Sequence, residues 1–235
     1  MVNIKNLHKK FGALKVLDGL ELEIENKGII AVLGPNGSGK TTLIKSILGM
    51  VVPDKGEVLV MKENIRKGWN YRKEIDYLPQ IANFPGNLRV TELISMIKDL
   101  RNKPARDKEL IAFFNLEPFL NKKLNKLSGG TRQKVNLVLC FMFDSPIVIL
   151  DEPTSGLDPV SLLHLRDLLQ QEKEKGKTII ITSHIMSFVE EISDRILFLL
   201  EGRIYFDGTV ADLKSSTGKS SFDHAIAHLI SPENA

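Results

Sequence analysis

Residues 34–42 read GPNGSGKTT, and this stretch decides the fold. The pattern is GxxxxGK[ST], in which glycines let consecutive backbone N–H groups point inward around an anion, while the helix that follows adds its positive end. The context is right as well: the apolar run IIAVL (29–33) precedes it and TLIKSILG (42–49) follows with helical spacing. Two decoys elsewhere fail the same test. GKT at 176–178 and GKS at 218–220 carry Gln171 and Leu213 where the leading glycine belongs, and neither sits between a buried strand and a helix. Both read as ordinary turns.

Working outward, IDYL (75–78), IVIL (147–150) and TIIIT (178–182) join IIAVL as apolar runs without alternation, which suits central strands of a parallel sheet buried on both faces. GLELEIEN and GEVLVM alternate instead, through Leu20, Leu22 and Ile24 and through Val58 and Val60, so they read as half-buried antiparallel strands. Helical patterns separate the strands at Leu43–Leu48, Leu93–Leu100 and Leu162–Leu169. Between Gln80 and the strand at 147, three helical segments (about 91–101, 106–116 and 130–143) replace any strand. The expectation is an α/β chain built on a P-loop NTPase core with a mostly parallel sheet, an N-terminal antiparallel β subdomain and an inserted α-helical subdomain over about 81–143. Residues 1–235 read as a single domain. A short C-terminal helix over about 221–230 is expected to carry Ser220 and Asp223 as a capping pair.

A chain of 235 residues with 43% hydrophobic content can bury a full core. The net charge of +3 is mild, and basic runs such as KEKGK (173–177) read as solvated faces, so no direct nucleic-acid partner is expected. The single cysteine, Cys140, lies in an apolar run and reads as a buried small hydrophobe, which fits a reducing compartment. The N-terminus has no apolar signal core. The longest apolar stretch, near 137–150, is broken by Asp144, Ser145 and Pro146, short of the roughly 18 residues a spanning helix needs. Any membrane role is therefore expected to come through a partner.

Phosphate loops of this kind need further groups. Gly34, Pro35, Asn36, Gly37, Ser38, Gly39, Lys40, Thr41 and Thr42 form the nucleotide cradle, with Lys40 on the β- and γ-phosphates and the Thr41 hydroxyl on magnesium. A second magnesium anchor should be a carboxylate at the end of another buried strand, where IVIL runs into Asp151 and Glu152. Asp151 suits the metal, and Glu152 is placed to polarise an attacking water. Gln80 and His184 follow two more buried strands, on the edge where ligands bind in open parallel sheets. The stretch LSGGTRQKVN (127–136) writes a second anion site at a helix start, through Ser128, Gly129 and Gly130.

These motifs occur in one order along nearly the whole chain, and in that order they resemble the ATP-binding subunit of an ABC transporter. The Walker A loop is GPNGSGKT, the Q-loop is at Gln80, the signature is LSGGTRQ, Walker B is IVILDE, the D-loop is SGLD and the switch histidine is His184. The resemblance implies ATP and magnesium as cofactors, Gln80 as a further magnesium ligand, catalysis by Glu152, His184 and Gln80, and Phe11 stacking on adenine. It also explains two anion sites in one chain, because such subunits pair head to tail and the signature of one completes the nucleotide site of the other. A homodimer on ATP binding is thus expected, with a polytopic membrane subunit, at the cytoplasmic face of the inner (plasma) membrane. Ile81, Phe84 and Leu88 are candidates to line the groove for that subunit. Thr131 stands where glutamine is more usual. A narrower resemblance, to the ATPases of nitrous-oxide-reductase maturation, runs through YLPQIANFPGNLRVTEL, LSGGTRQKVN and GKTIIITSHIMSFVEEISDRI, although drug, lipid and haem exporter ATPases look similar and no copper ligand set is visible. The rival reading is a soluble ABC ATPase acting on DNA or ribosomes, which commonly carries coiled-coil insertions or tandem ATP sites.

Overall fold

The computed structural model describes residues 1–25 and 27–230. In chain order its strands and helices are β1 (Val2–Phe11), β2 (Leu14–Ile24), β3 (Gly28–Leu33), α1 (Lys40–Ile47), β4 (Lys55–Val60), β5 (Glu63–Asn64), β6 (Ile75–Leu78), α2 (Val90–Arg101), α3 (Asp107–Phe113) and α4 (Gly129–Phe141), then β7 (Ile147–Asp151), α5 (Pro159–Glu174), β8 (Thr178–Thr182), α6 (Met186–Ile192), β9 (Arg195–Leu200), β10 (Arg203–Gly208), α7 (Val210–Thr217) and α8 (Phe222–Ile230). The larger sheet has the order β10-β9-β3-β8-β7-β6, parallel except for β10. The smaller is antiparallel, in the order β2-β1-β4-β5.

The unbroken apolar runs have a direct cause. Ile29, Ala31 and Leu33 of β3 face a core shared with the helices, while Ile30 and Val32 face a second core between the two sheets and α1. In β7, Val148 and Leu150 divide from Ile147 and Ile149 in the same way, as Ile179 and Ile181 do from Ile180 in β8. With apolar layers on both sides, alternation has no reason to exist.

Several readings need correction. IDYL is no central strand: β6 is the edge of the larger sheet, and its buried Asp76 pairs with Arg101 of α2. RILFLL, not singled out above, is the parallel strand β9, wholly buried over Ile196–Leu199. β1 escaped notice because its register against β2 shifts between Ile4 and Leu7 and again before His8, with Asn6 at φ 47°, so its inward side chains slip phase. The KEKGK run is not a solvated face throughout. Lys177 is buried, its Nζ 2.7 Å from Glu172 Oε2 and 3.0 Å from Asp144 Oδ1, and Lys175 and Arg106 hold the other Glu172 oxygen. Burial acts to raise the Glu172 pKa, but these cations together bring it below the usual glutamate value. Finally, Ala225 N donates to Ser221 O and α8 begins at Phe222, so Ser221 and not Ser220 stands at the helix start. Cys140 is buried as expected, and its thiol pKa is raised well above normal by that burial.

Candidate functional site at the carboxyl edge of the parallel sheet

Where β3 ends, the chain turns through Gly34 at φ 143°, and a Cβ there would lie 2.1 Å from the Leu199 carbonyl oxygen and 2.8 Å from Ser38 Oγ. Gly39 caps α1 at φ 107°, with a notional Cβ 2.9 Å from Val16 O. Only glycine fits either place, which is why the loop can wrap so tightly. Lys40, Thr41 and Thr42 then open α1 with backbone N–H groups ahead of its first internal bond, Leu43 N to Gly39 O, the donors with which a helix start can meet an anion. Lys40 Nζ folds over the loop, donating to Gly34 O at 2.7 Å and Pro35 O at 3.0 Å. Partial burial lowers its pKa, against the opposing pull of Glu152 and Asp151. Ser38 Oγ is buried without a hydrogen bond.

β7 delivers the two acids. Asp151 is buried and accepts from Thr182 Oγ1, on neighbouring β8, at 2.7 Å. Glu152 comes next with φ 54°, a left-handed backbone unusual for a non-glycine residue, and its amide donates to Thr182 Oγ1 at 2.9 Å. Burial, with Asp151 as a smaller repulsive partner, raises the Glu152 pKa; His184 and Lys40 oppose the rise. His184 Nε2 lies 3.0 Å from Glu152 Oε1, within ion-pair reach, yet this oxygen makes no hydrogen bond. Burial and Asp151 likewise push the hydroxyl of Tyr77 up to about 12.

Asn36, Gly37, Gly39, Lys40, Thr41, Thr42, Gln80, Asp151, Glu152 and His184 all line one cavity of about 240 Å³. Gly34, Pro35 and Ser38 build the loop beneath it. Leu14 and Val16 of β2 complete the lining and were missed; their signal was the apolar alternation of LKV just after the FG turn. Phe11 is not among the lining residues. It is half exposed, with Lys9 Nζ 5.2 Å from its ring centroid, so it is no core side chain either.

The residues suit a nucleotide phosphate with magnesium. The loop and helix start carry Lys40 and a buried hydroxyl without a hydrogen bond, Ser38 Oγ, and Thr41, Gln80 and Asp151 line the cavity with hard oxygen donors. Among the described residues no group of three or more His, Cys, Asp or Glu can hold a metal by itself.

The signature lies apart from this cavity, none of whose lining comes from 128–130. Ser128 is the N-cap of α4: its Oγ accepts from Thr131 N at 3.2 Å and lies 2.8 Å from Thr131 Oγ1. Thr131 thus serves the cap. Ser128 and Gly129 are exposed, while a Cβ on Gly130 would meet Gly156 O at 2.6 Å, so signature and D-loop touch backbone to backbone. Sequence reasoning also passed over a role for Gln133, which is buried and donates from Nε2 to Pro153 O at 3.0 Å.

The family model described as ABC transporter matches residues 17–155. The daunorubicin resistance ATP-binding protein DrrA3 of Streptomyces coeruleorubidus is 31% identical over 228 residues, which cover 94% of this chain and 72% of that protein. A solved ATP-binding subunit of an ABC transporter superposes with a TM-score of 0.91 at 28% identity, covering 98% of this chain and 100% of that one. A dimeric ATP-binding cassette in a post-hydrolysis state, bound to ADP and phosphate, superposes with a TM-score of 0.78 at 26% identity, over 89% of this chain and 98% of its own. The match of the family model to residues 17–155, with a relative 31% identical over most of both chains and the superposition on a solved ATP-binding subunit, shows that the chain belongs to the ABC transporter family.

Proposed function

We propose that this chain is the MgATP-hydrolysing motor of a transporter, working as a head-to-tail homodimer on a separate polytopic membrane subunit. As a member of its family it is an ATPase that binds ATP and magnesium. The observation that carries the residue roles is the single cavity into which β3, β6, β7 and β8 bring Lys40, Gln80, Asp151, Glu152 and His184. In this reading the backbone N–H groups of 37–42 and Lys40 bind the β- and γ-phosphates, and Phe11 covers the base. Magnesium, held by Thr41, Gln80 and Asp151 together with the nucleotide, would supply charge neutralisation for phosphoryl transfer. Glu152 takes the proton of the attacking water, a task its raised pKa favours. His184, 3.0 Å away, holds that carboxylate in place. Ser128, Gly129 and Gly130, exposed or half-exposed and remote from their own chain's cavity, are free to complete the partner's site.

The membrane subunit would seat a helix in an apolar groove of about 330 Å³ between β6, α2 and α4. Phe84 lines this groove, but Ile81 and Leu88 do not; Ile97, Leu100, Leu139 and Phe143 take their place. Leu88 packs into the helical core instead, and Ile81 is exposed. No helix among the described residues is long and apolar enough to cross a membrane. Attachment at the cytoplasmic face of the plasma membrane through this groove is part of the proposal. The relative and structures above give no support to the narrower nitrous-oxide-reductase maturation type, and the proposal does not rest on it.

Purification of the chain from its native membranes in mild detergent tests the reading. Stoichiometric recovery of a polytopic membrane protein is expected. Recovery with ribosomes or DNA, and no membrane protein, would favour the soluble alternative.

A further inference from the structure

Gln133 is fixed to the turn that carries Glu152. It is the last residue of the signature stretch LSGGTRQ, on α4 about one turn after Gly130, is buried, and gives Nε2 to the Pro153 carbonyl at 3.0 Å, one residue beyond Glu152. Its Oε1 receives Asn136 Nδ2 over a long 3.5 Å, and Asn136 lines the groove of β6, α2 and α4. The turn itself closes by Ser155 N donating to Glu152 O at 3.2 Å. Just beyond, Gly156 O lies 2.6 Å from where a Cβ on Gly130 would be, so α4 and the 152–156 turn are in contact at two points about one turn of helix apart.

A left-handed glutamate persists only if its surroundings over-determine it. Thr182 holds the amide side of Glu152 through its hydroxyl and carbonyl, at 2.9 and 3.2 Å. On the carboxyl side the next residue is proline, which has no N–H to give, so the carbonyl of Pro153 is the polar handle available there. Gln133 grips that handle.

We infer that Gln133 is a positioning residue for hydrolysis: its hydrogen bond to Pro153 holds Glu152 in the left-handed conformation and ties this chain's signature helix to its own catalytic carboxylate. The inference rests on the role proposed for Glu152. It assigns Gln133 no contact with nucleotide, since Gln133 is not among the cavity-lining residues.

Steady-state ATPase of the single variants, with ATP binding and trapping measured alongside, tests this. Gln133→Met keeps length and volume but removes the donor. It should lower kcat roughly 10- to 100-fold, the scale of a slightly misplaced catalytic group, while KM and ATP affinity change less than about threefold. Gln133→Glu, which keeps the acceptor for Asn136 but cannot donate when ionised, should behave alike. In a Glu152→Gln background, which traps ATP unhydrolysed, adding Gln133→Met should leave ATP affinity and trapping unchanged, because Gln133 acts only through Glu152. Unchanged kcat in Gln133→Met, or loss of ATP affinity in either background, would overturn the inference and make Gln133 a packing residue. Normal turnover by Glu152→Gln alone would instead remove the reading of Glu152 on which it stands.

Discussion

Thr182 donates its hydroxyl to Asp151 Oδ1 across 2.7 Å, from one buried strand to the next. Thr182 Oγ1 in turn accepts from the Glu152 amide at 2.9 Å. One hydroxyl therefore orients the carboxylate proposed for magnesium and the backbone of the carboxylate proposed for water. It does so where β7 and β8 run parallel and in register at Asp151 and Thr182.

Thr182→Val keeps the shape of the strand and deletes this hydroxyl. The variant should fold and bind ATP within a few fold of normal, with kcat down about 10-fold because Asp151 loses its hydroxyl partner and the Glu152 amide keeps only the backbone carbonyl at position 182. Steady-state kinetics set against equilibrium binding decide it. Unchanged kcat would mean that strand pairing alone suffices.

Glu152→Gln should bind ATP yet trap it unhydrolysed. Its stability should follow pH in a defined way. The Glu152 pKa is raised in the fold by burial, so the native state holds this proton more tightly than the unfolded chain, and the associated stability is lost as pH rises through the folded value. At pH 7 the ionised wild-type carboxylate is thus a cost that glutamine does not carry. The variant should melt no lower than wild type near pH 7, and any advantage should shrink as pH falls below the ordinary glutamate value. Thermal melts across pH 4 to 8 read this out; an advantage growing toward acid pH would contradict the sign.

The shared-site reading predicts the behaviour of a mixed dimer. Ser128→Arg and Lys40→Ala should each fail as homodimers, one blocking the partner's site and the other emptying its own. Combined, they should leave one intact site, made from the Walker A of the first chain and the signature of the second. Nucleotide trapped at one site per shown heterodimer is the expected result, and none would count against sharing.

Phe11 and Leu14 can be separated by affinity. Stacking on a base is worth about 1 to 3 kcal/mol, so Phe11→Ala should weaken ATP binding about 5- to 100-fold. Leu14→Ala, which trims a largely exposed side chain on the cavity wall, should cost less. The reverse order, measured with a fluorescent nucleotide, would move the adenine seat onto β2.

Phe84→Asp places a charge in the groove of β6, α2 and α4. Basal ATPase of the isolated chain should survive within a few fold, while recovery of the membrane subunit falls sharply. Normal assembly and transport would dismiss the groove, and loss of nucleotide binding would show that Phe84 supports the core against which it packs.

Whatever depends on a contiguous stretch of backbone could be read directly from the sequence. GPNGSGKTT specifies its own conformation, because the glycines that permit it and the helix that follows are neighbours in the chain, and Asp151, Glu152, Gln80 and His184 were found by standing just past apolar runs. What joins distant segments could not be read that way. Thr182 and Asp151 are 31 residues apart, Gln133 and Pro153 are 20, and nothing local marks a threonine ending a strand or a glutamine inside an apolar helix as partners. β1 was hidden by its own bulges, and β9 joined the sheet through pairing with β3, far away in sequence. Strand order, the choice of Leu14 and Val16 as cavity wall, and the burial of Lys177 against Glu172 are settled by packing, since only the assembled layers determine which side chains lose water and must find each other.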